Sequence, residues 1–244
     1  MAAIGSMGDK YVQEPPYSMG IRPEYITEFE RLLWIEPKYD AYSSNEYCIR
    51  YDSDGSTLFT ATGMRYGENY TREYRDSSGL PLFETQKVWS LGWKFRRPWR
   101  VRLPGSKEKD LVDIRFKGVM NKSFEVNFRN AVAHDTKNED DKMVHLVVHR
   151  VSPVYRVYEV RLGSVKVVDI RESMERNRSV PTSHYNSSGG MLPRRLAMEV
   201  LVAANFDMSL ASLIAVIVCD IGFSATPPHS TSRMHASLEI PWYV

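Results

Sequence analysis

Residues Asp207 to Gly222 read Asp-Met-Ser-Leu-Ala-Ser-Leu-Ile-Ala-Val-Ile-Val-Cys-Asp-Ile-Gly, and this stretch limits the fold more than any other part of the chain. Asp207 suits an N-cap, because its carboxylate accepts backbone N–H bonds and complements the positive helix end. Gly222 suits the left-handed position that closes a helix. Between them Leu210, Leu213, Ile214, Val216, Ile217, Val218 and Ile221 cover every azimuth of a 3.6-residue repeat. A helix with no polar face has to be surrounded by apolar material. A bilayer span needs about 20 apolar residues, so this helix is too short for lipid and the material around it is protein. In a chain that otherwise reads as strands, the expectation is a core helix wrapped by sheet.

The strand signals are period two. Glu46 to Tyr51 and Thr57 to Thr62 flank Asp54-Gly55, a strong hairpin signal. Further candidates are Tyr70 to Arg75, Pro81 to Val88, Trp93 to Leu103, Leu111 to Lys117, Lys122 to Phe128, Met143 to His149, Val154 to Leu162, Ser164 to Ile170, Leu196 to Val202 and Leu238 to Val244. Turn chemistry falls at Asp76-Ser77-Ser78-Gly79 and Pro104-Gly105-Ser106. About eight strands already fill a barrel with side chains, so about twelve leave a bore that a helix about 10–12 Å across would fill. The fold class is therefore mainly β, an antiparallel barrel of about twelve strands enclosing a C-terminal hydrophobic helix.

Ahead of the strands, residues 1–22 read as a flexible leader. Pro23 opens a short helix in which Tyr25, Ile26, Phe29, Leu32 and Leu33 share a face, and Pro37 ends it. The expected division is an N-terminal extension with a short helix over 1–44, the barrel with its helix over 45–223, and a polar tail over 224–244. In 244 residues, 43% hydrophobic and 25% charged content supplies a core for one large domain and argues against wholesale disorder. The two cysteines, Cys48 and Cys219, make no disulfide framework, and no apolar leader follows a basic start. Those features read as a cytoplasmic chain, with a peripheral membrane position open, and a monomer is expected.

Two segments resemble a known family. Arg72-Glu73-Tyr74-Arg75-Asp76-Ser77-Ser78-Gly79-Leu80-Pro81-Leu82-Phe83 resembles the "Asp-x-x-Gly-x-Pro-Leu" hairpin of LURP-one-related proteins. Met198-Glu199-Val200-Leu201-Val202-Ala203-Ala204-Asn205-Phe206-Asp207, with the helix behind it, resembles that family's last core strand, capping Asp and central helix. The family is grouped with the tubby C-terminal domain and the phospholipid scramblases. The resemblance implies a twelve-stranded barrel around a hydrophobic helix. Tubby domains bind phosphoinositide headgroups through basic residues on neighbouring strands, so it also implies a role at a membrane surface.

The surface stretch that fits such a role is Trp93 to Leu103. Lys94, Arg96, Arg100 and Arg102 fall on one face at period two, and Trp93, Phe95, Trp99, Val101 and Leu103 on the other, with Arg97 off the pattern. From Gly92 to Gly118 the net charge is +6 in a chain of net +2, which leaves −4 for the remainder. Lys94, Arg96, Arg97, Arg100 and Arg102 are the candidate headgroup ligands, since guanidinium offers paired donors to phosphate. The bland alternative is a solvated outer strand face. Nucleic acid is disfavoured as partner, because the interleaved aromatics point away from the basic face and cannot stack on bases.

No metal or other cofactor is expected. On a strand His145 and His149 stand about 13 Å apart, too far for one ion. Asp135 to Asp141 has Lys137 at a ligand position and lacks an EF-hand's glycine and distal Glu. No phosphate-binding loop, nucleophile elbow or dinucleotide fingerprint is present, so the reading is a binding or tethering module and not an enzyme. A scramblase-like lipid handler, an enzyme on the same fold and a protein-interaction scaffold stay open as alternatives.

Overall fold

The computed structural model describes residues 10–38, 46–66, 69–87, 99–106, 110–117, 123–133, 142–152, 156–178 and 196–224. Twelve strands run β1 Arg31–Pro37, β2 Glu46–Tyr51, β3 Thr57–Tyr66, β4 Asn69–Asp76, β5 Pro81–Lys87, β6 Trp99–Arg102, β7 Val112–Lys117, β8 Ser123–Arg129, β9 Met143–Arg150, β10 Val157–Leu162, β11 Val165–Glu172 and β12 Met198–Val202. A short helix, α1 Met174–Arg178, precedes β12, and a longer one, α2 Met208–Ser224, follows it. Each strand pairs antiparallel with its sequence neighbour, and β1 closes the barrel by pairing with both β2 and β12.

Period two explains the strands. In β8, Phe124, Val126 and Phe128 are buried while Ser123, Glu125 and Asn127 are half-exposed. Turn residues set the hairpins, with Gly55, Gly79 and Gly105 all at positive φ where a side chain would be strained. The amphipathic helix expected from Pro23 to Pro37 does not form. Pro23–Tyr25 makes one 3₁₀ turn, and Arg31–Pro37 is instead the closing strand. Leu33 and Ile35 face inward opposite Val200 and Met198, and a helix at that place would leave the seam unpaired. The barrel therefore begins at Arg31 and not at residue 45. The last expected strand, Leu238 to Val244, lies outside the described residues.

Helix α2 is buried at every position from Met208 to Asp220. Its apolar residues form one hydrophobic cluster with inward-facing residues from all twelve strands. The helix continues through Gly222 to Ser224, so Gly222 lies inside it and does not close it. Asp207 caps the N-terminus as expected. Its Oδ1 accepts the Ser209 N–H and hydroxyl, both at 2.7 Å, and the Leu210 N–H at 3.3 Å.

The second oxygen of Asp207 shows what the N-terminal segment does. Oδ2 accepts the Ile21 and Arg22 N–H groups, each at 2.9 Å. Met19 exchanges backbone bonds with Asn205 at 3.0 Å and Asp207 at 3.1 Å, and its side chain is fully buried in the core. Residues 19–22 are therefore held against the helix cap, where a flexible leader was expected. Burial raises the Asp207 carboxyl above the usual range, while the bonds from Ser209, Arg22 and Leu210 oppose that rise. Gly20 is tied to this cap, because a Cβ there would come within 2.4 Å of the Asp207 Cβ. Gly20→Ala is expected to cost about 1–3 kcal/mol or more by forcing the segment off the cap. Urea denaturation checks this, and an unchanged midpoint would contradict the close approach.

Candidate functional site

Strand β6 carries the described part of the basic strip. Trp99 and Val101 are buried in the core, while Arg100 is exposed and Arg102 half-exposed on the outer face. The alternation holds over these four residues. Leu103, expected on the inner face, is exposed because the strand ends at Arg102 and the chain turns. Lys94, Arg96 and Arg97 lie outside the described residues, as does the Asp135 to Asp141 loop.

The two arginines converge on a carboxylate. Arg102 Nε donates to Asp110 Oδ1 at 2.6 Å, and Arg100 Nε lies 3.5 Å from Asp110 Oδ2. The β6–β7 turn brings Asp110 back beside residues eight to ten positions earlier. Across the sheet, Arg100 stands opposite Asp113 and Gln86, and Arg102 opposite Glu84. Asp113 is paired with Arg115 at 2.6 Å, and Glu84 accepts the Gly105 N–H at 3.3 Å. The described part of the face is thus a mixed-charge surface with one two-arginine clip.

The histidines behave as ordinary strand residues. His145 and His149 both point outward from β9, and His145 Nδ1 is 2.6 Å from Asn127 Oδ1. Among the described residues, no group of three or more His, Cys, Asp or Glu could hold a metal ion. Among those residues, no helix is long and apolar enough to cross a membrane.

Two buried polar clusters went unforeseen. Inside, the Arg72 guanidinium of β4 places Nη2 3.0 Å from each Asp220 carboxylate oxygen. Its Nη1 donates to the Ala61 carbonyl at 3.1 Å, and the guanidinium lies 4.9 Å from the Tyr47 ring centroid. The Tyr47 hydroxyl donates to Asp220 Oδ1 at 3.2 Å, so strands β2 and β4 both anchor α2. The available signal was Asp220 itself, a carboxylate in an apolar helix that needs a cation once buried.

Outside, β11 holds a second cluster. The register shifts by one between β10 and β11, so Val167 is an extra residue and Lys166 shares the outer face with Asp169. Lys166 Nζ is 2.8 Å from Asp169 Oδ2 and 3.7 Å from the Tyr11 ring centroid. Arg171 Nε donates to Asp169 Oδ1 at 2.6 Å. The Gln13 N–H donates to the Lys166 carbonyl at 2.7 Å, and Lys10 pairs with Glu199 at 2.7 Å. The N-terminal segment is thereby strapped across β11 and β12.

Twelve antiparallel strands closed on themselves, with a buried helix near the C-terminus, define a β-barrel protein with a mixed-charge outer face. The sequence profile of the LURP-one-related family matches residues 31–220, from the first residue of β1 to Asp220 of α2, and the chain belongs to that family. Among solved structures, the X-ray structure of a protein from Arabidopsis thaliana is similar at 17% identity and a TM-score of 0.49, covering 82% of this chain and 96% of that one. No curated protein matches the chain.

Proposed function

We propose that the barrel is a non-catalytic binding or tethering module that takes anionic lipid headgroups, phosphoinositides among them, on its β6 face. The observation that carries this reading is the convergence of Arg100 and Arg102 on the single acceptor Asp110. Two guanidiniums aimed at one point form a preset anion clip, and each offers paired donors to phosphate oxygens. In this reading Lys94, Arg96 and Arg97, which precede the clip in sequence, are further headgroup ligands, and α2 fills the bore so that ligands meet the outer sheet surface. Tight packing of Trp99 and Val101 below the arginines supports a rigid platform.

Vesicle flotation tests it. Purified protein is mixed with neutral vesicles and with vesicles containing phosphatidylinositol bisphosphate, over a salt series. Binding is expected to need the anionic lipid and to weaken with salt, as screened charge pairs do. Arg100→Ala with Arg102→Ala is expected to reduce it by about thirtyfold, at about 1 kcal/mol per charge near the surface. Absence of binding by well-folded protein would overturn the reading.

A further inference from the structure

We infer that Asp110 is an internal competitor for the Arg100–Arg102 clip, and that it restricts the clip to phosphomonoester dianions over singly charged phosphodiester headgroups. The inference rests on the headgroup reading of β6. Asp110 touches both guanidiniums, at 2.6 Å and 3.5 Å, whereas the flanking carboxylates Asp113 and Glu84 are engaged by Arg115 and by the Gly105 N–H. The three side chains are 25–44% exposed, so these are partly solvated ion pairs that a ligand can reach and exchange.

Charge decides what can exchange. A carboxylate supplies one negative charge and two oxygens to two cations, leaving the clip at a local +1. A phosphodiester headgroup also brings one negative charge, so replacing Asp110 with it gains nothing and leaves the displaced carboxylate nearby to repel it. A phosphomonoester brings about −1.5 to −2 and three acceptor oxygens, enough to satisfy both guanidiniums and to outweigh the tethered carboxylate. Asp110 thus sets a charge threshold for entry. Such a group is found on a phosphorylated inositol lipid and on a free phosphorylated inositol alike.

The experiment compares wild type, Asp110→Asn and a charge-matched control, Asp113→Asn, whose carboxylate serves Arg115. Flotation uses phosphatidylinositol bisphosphate vesicles and phosphatidylserine vesicles of equal surface charge, with soluble inositol trisphosphate as competitor. Wild type is expected to bind the bisphosphate vesicles and to leave the phosphatidylserine vesicles largely unbound. Asp110→Asn is expected to gain phosphatidylserine binding by about three- to tenfold, the scale of two released surface ion pairs, with a smaller gain for Asp113→Asn. Competition by the soluble trisphosphate places recognition in the phosphate group. If vesicle binding resists that competitor, the membrane surface and not the phosphomonoester is read, and the inference is wrong. Equal gains for the two variants would reduce Asp110 to general charge and overturn it, as would no gain in either while wild type still binds bisphosphate vesicles; the headgroup reading would then survive. Failure of both wild type and Asp110→Asn on bisphosphate vesicles removes the headgroup reading itself.

Discussion

Ile217→Asp is expected to abolish folding. Ile217 is fully buried on a helix that is buried at every azimuth, and the new carboxylate would stand among aliphatic neighbours. The change gives up about 1.5–3 kcal/mol of side-chain burial and adds several kcal/mol for an unpaired buried ion. That sum rivals the whole stability of a domain, about 5–15 kcal/mol. Ile217→Val, by contrast, should cost only about 0.5–1.5 kcal/mol. Near-ultraviolet circular dichroism and thermal melts separate the two outcomes. Soluble Ile217→Asp protein with a cooperative melt would contradict the all-round burial of α2.

The second large effect belongs to Arg72. Arg72→Met strands the Asp220 carboxylate in the core beside a Tyr47 hydroxyl that supplies one bond, and should cost about 3–5 kcal/mol. Arg72→Met with Asp220→Leu removes both charges and is expected to recover most of that loss, because an apolar pair escapes the desolvation cost. Urea midpoints across the double-mutant cycle give the coupling directly. A single-variant cost below about 1 kcal/mol would mean that the pair is solvated in the folded protein and not buried.

The parts of the fold that were legible in the sequence are those with a local cause. Asp54-Gly55 and Asp76 to Gly79 announce their hairpins through turn chemistry, and α2 announces itself through an unbroken apolar repeat and the Asp207 cap. Strand β1 reads as helix in the sequence because Leu32 and Leu33 also satisfy a helical spacing. Pairing on both edges, with β2 and with the distant strand β12, where Val200 stands opposite Leu33, selects the extended form. The N-terminal segment had no local signal at all. Its order comes from backbone bonds to Asn205, Phe206 and Asp207, which a Pro- and Gly-containing stretch does not advertise. At the candidate site, the outward setting of Arg100 and Arg102 followed from period two. Their shared partner did not, since it depends on how the turn from Leu103 returns Asp110 to the strand.

The seam between β1 and β12 also has a consequence for synthesis. Closure joins Arg31–Pro37 to Met198–Val202, and α2 is translated after both. A nascent chain therefore carries the inward apolar residues of eleven strands before the elements that cover them have left the ribosome. Such long-range closure implies slow barrel completion that waits for β12 and α2, with an aggregation-prone interval in which a chaperone would have its substrate.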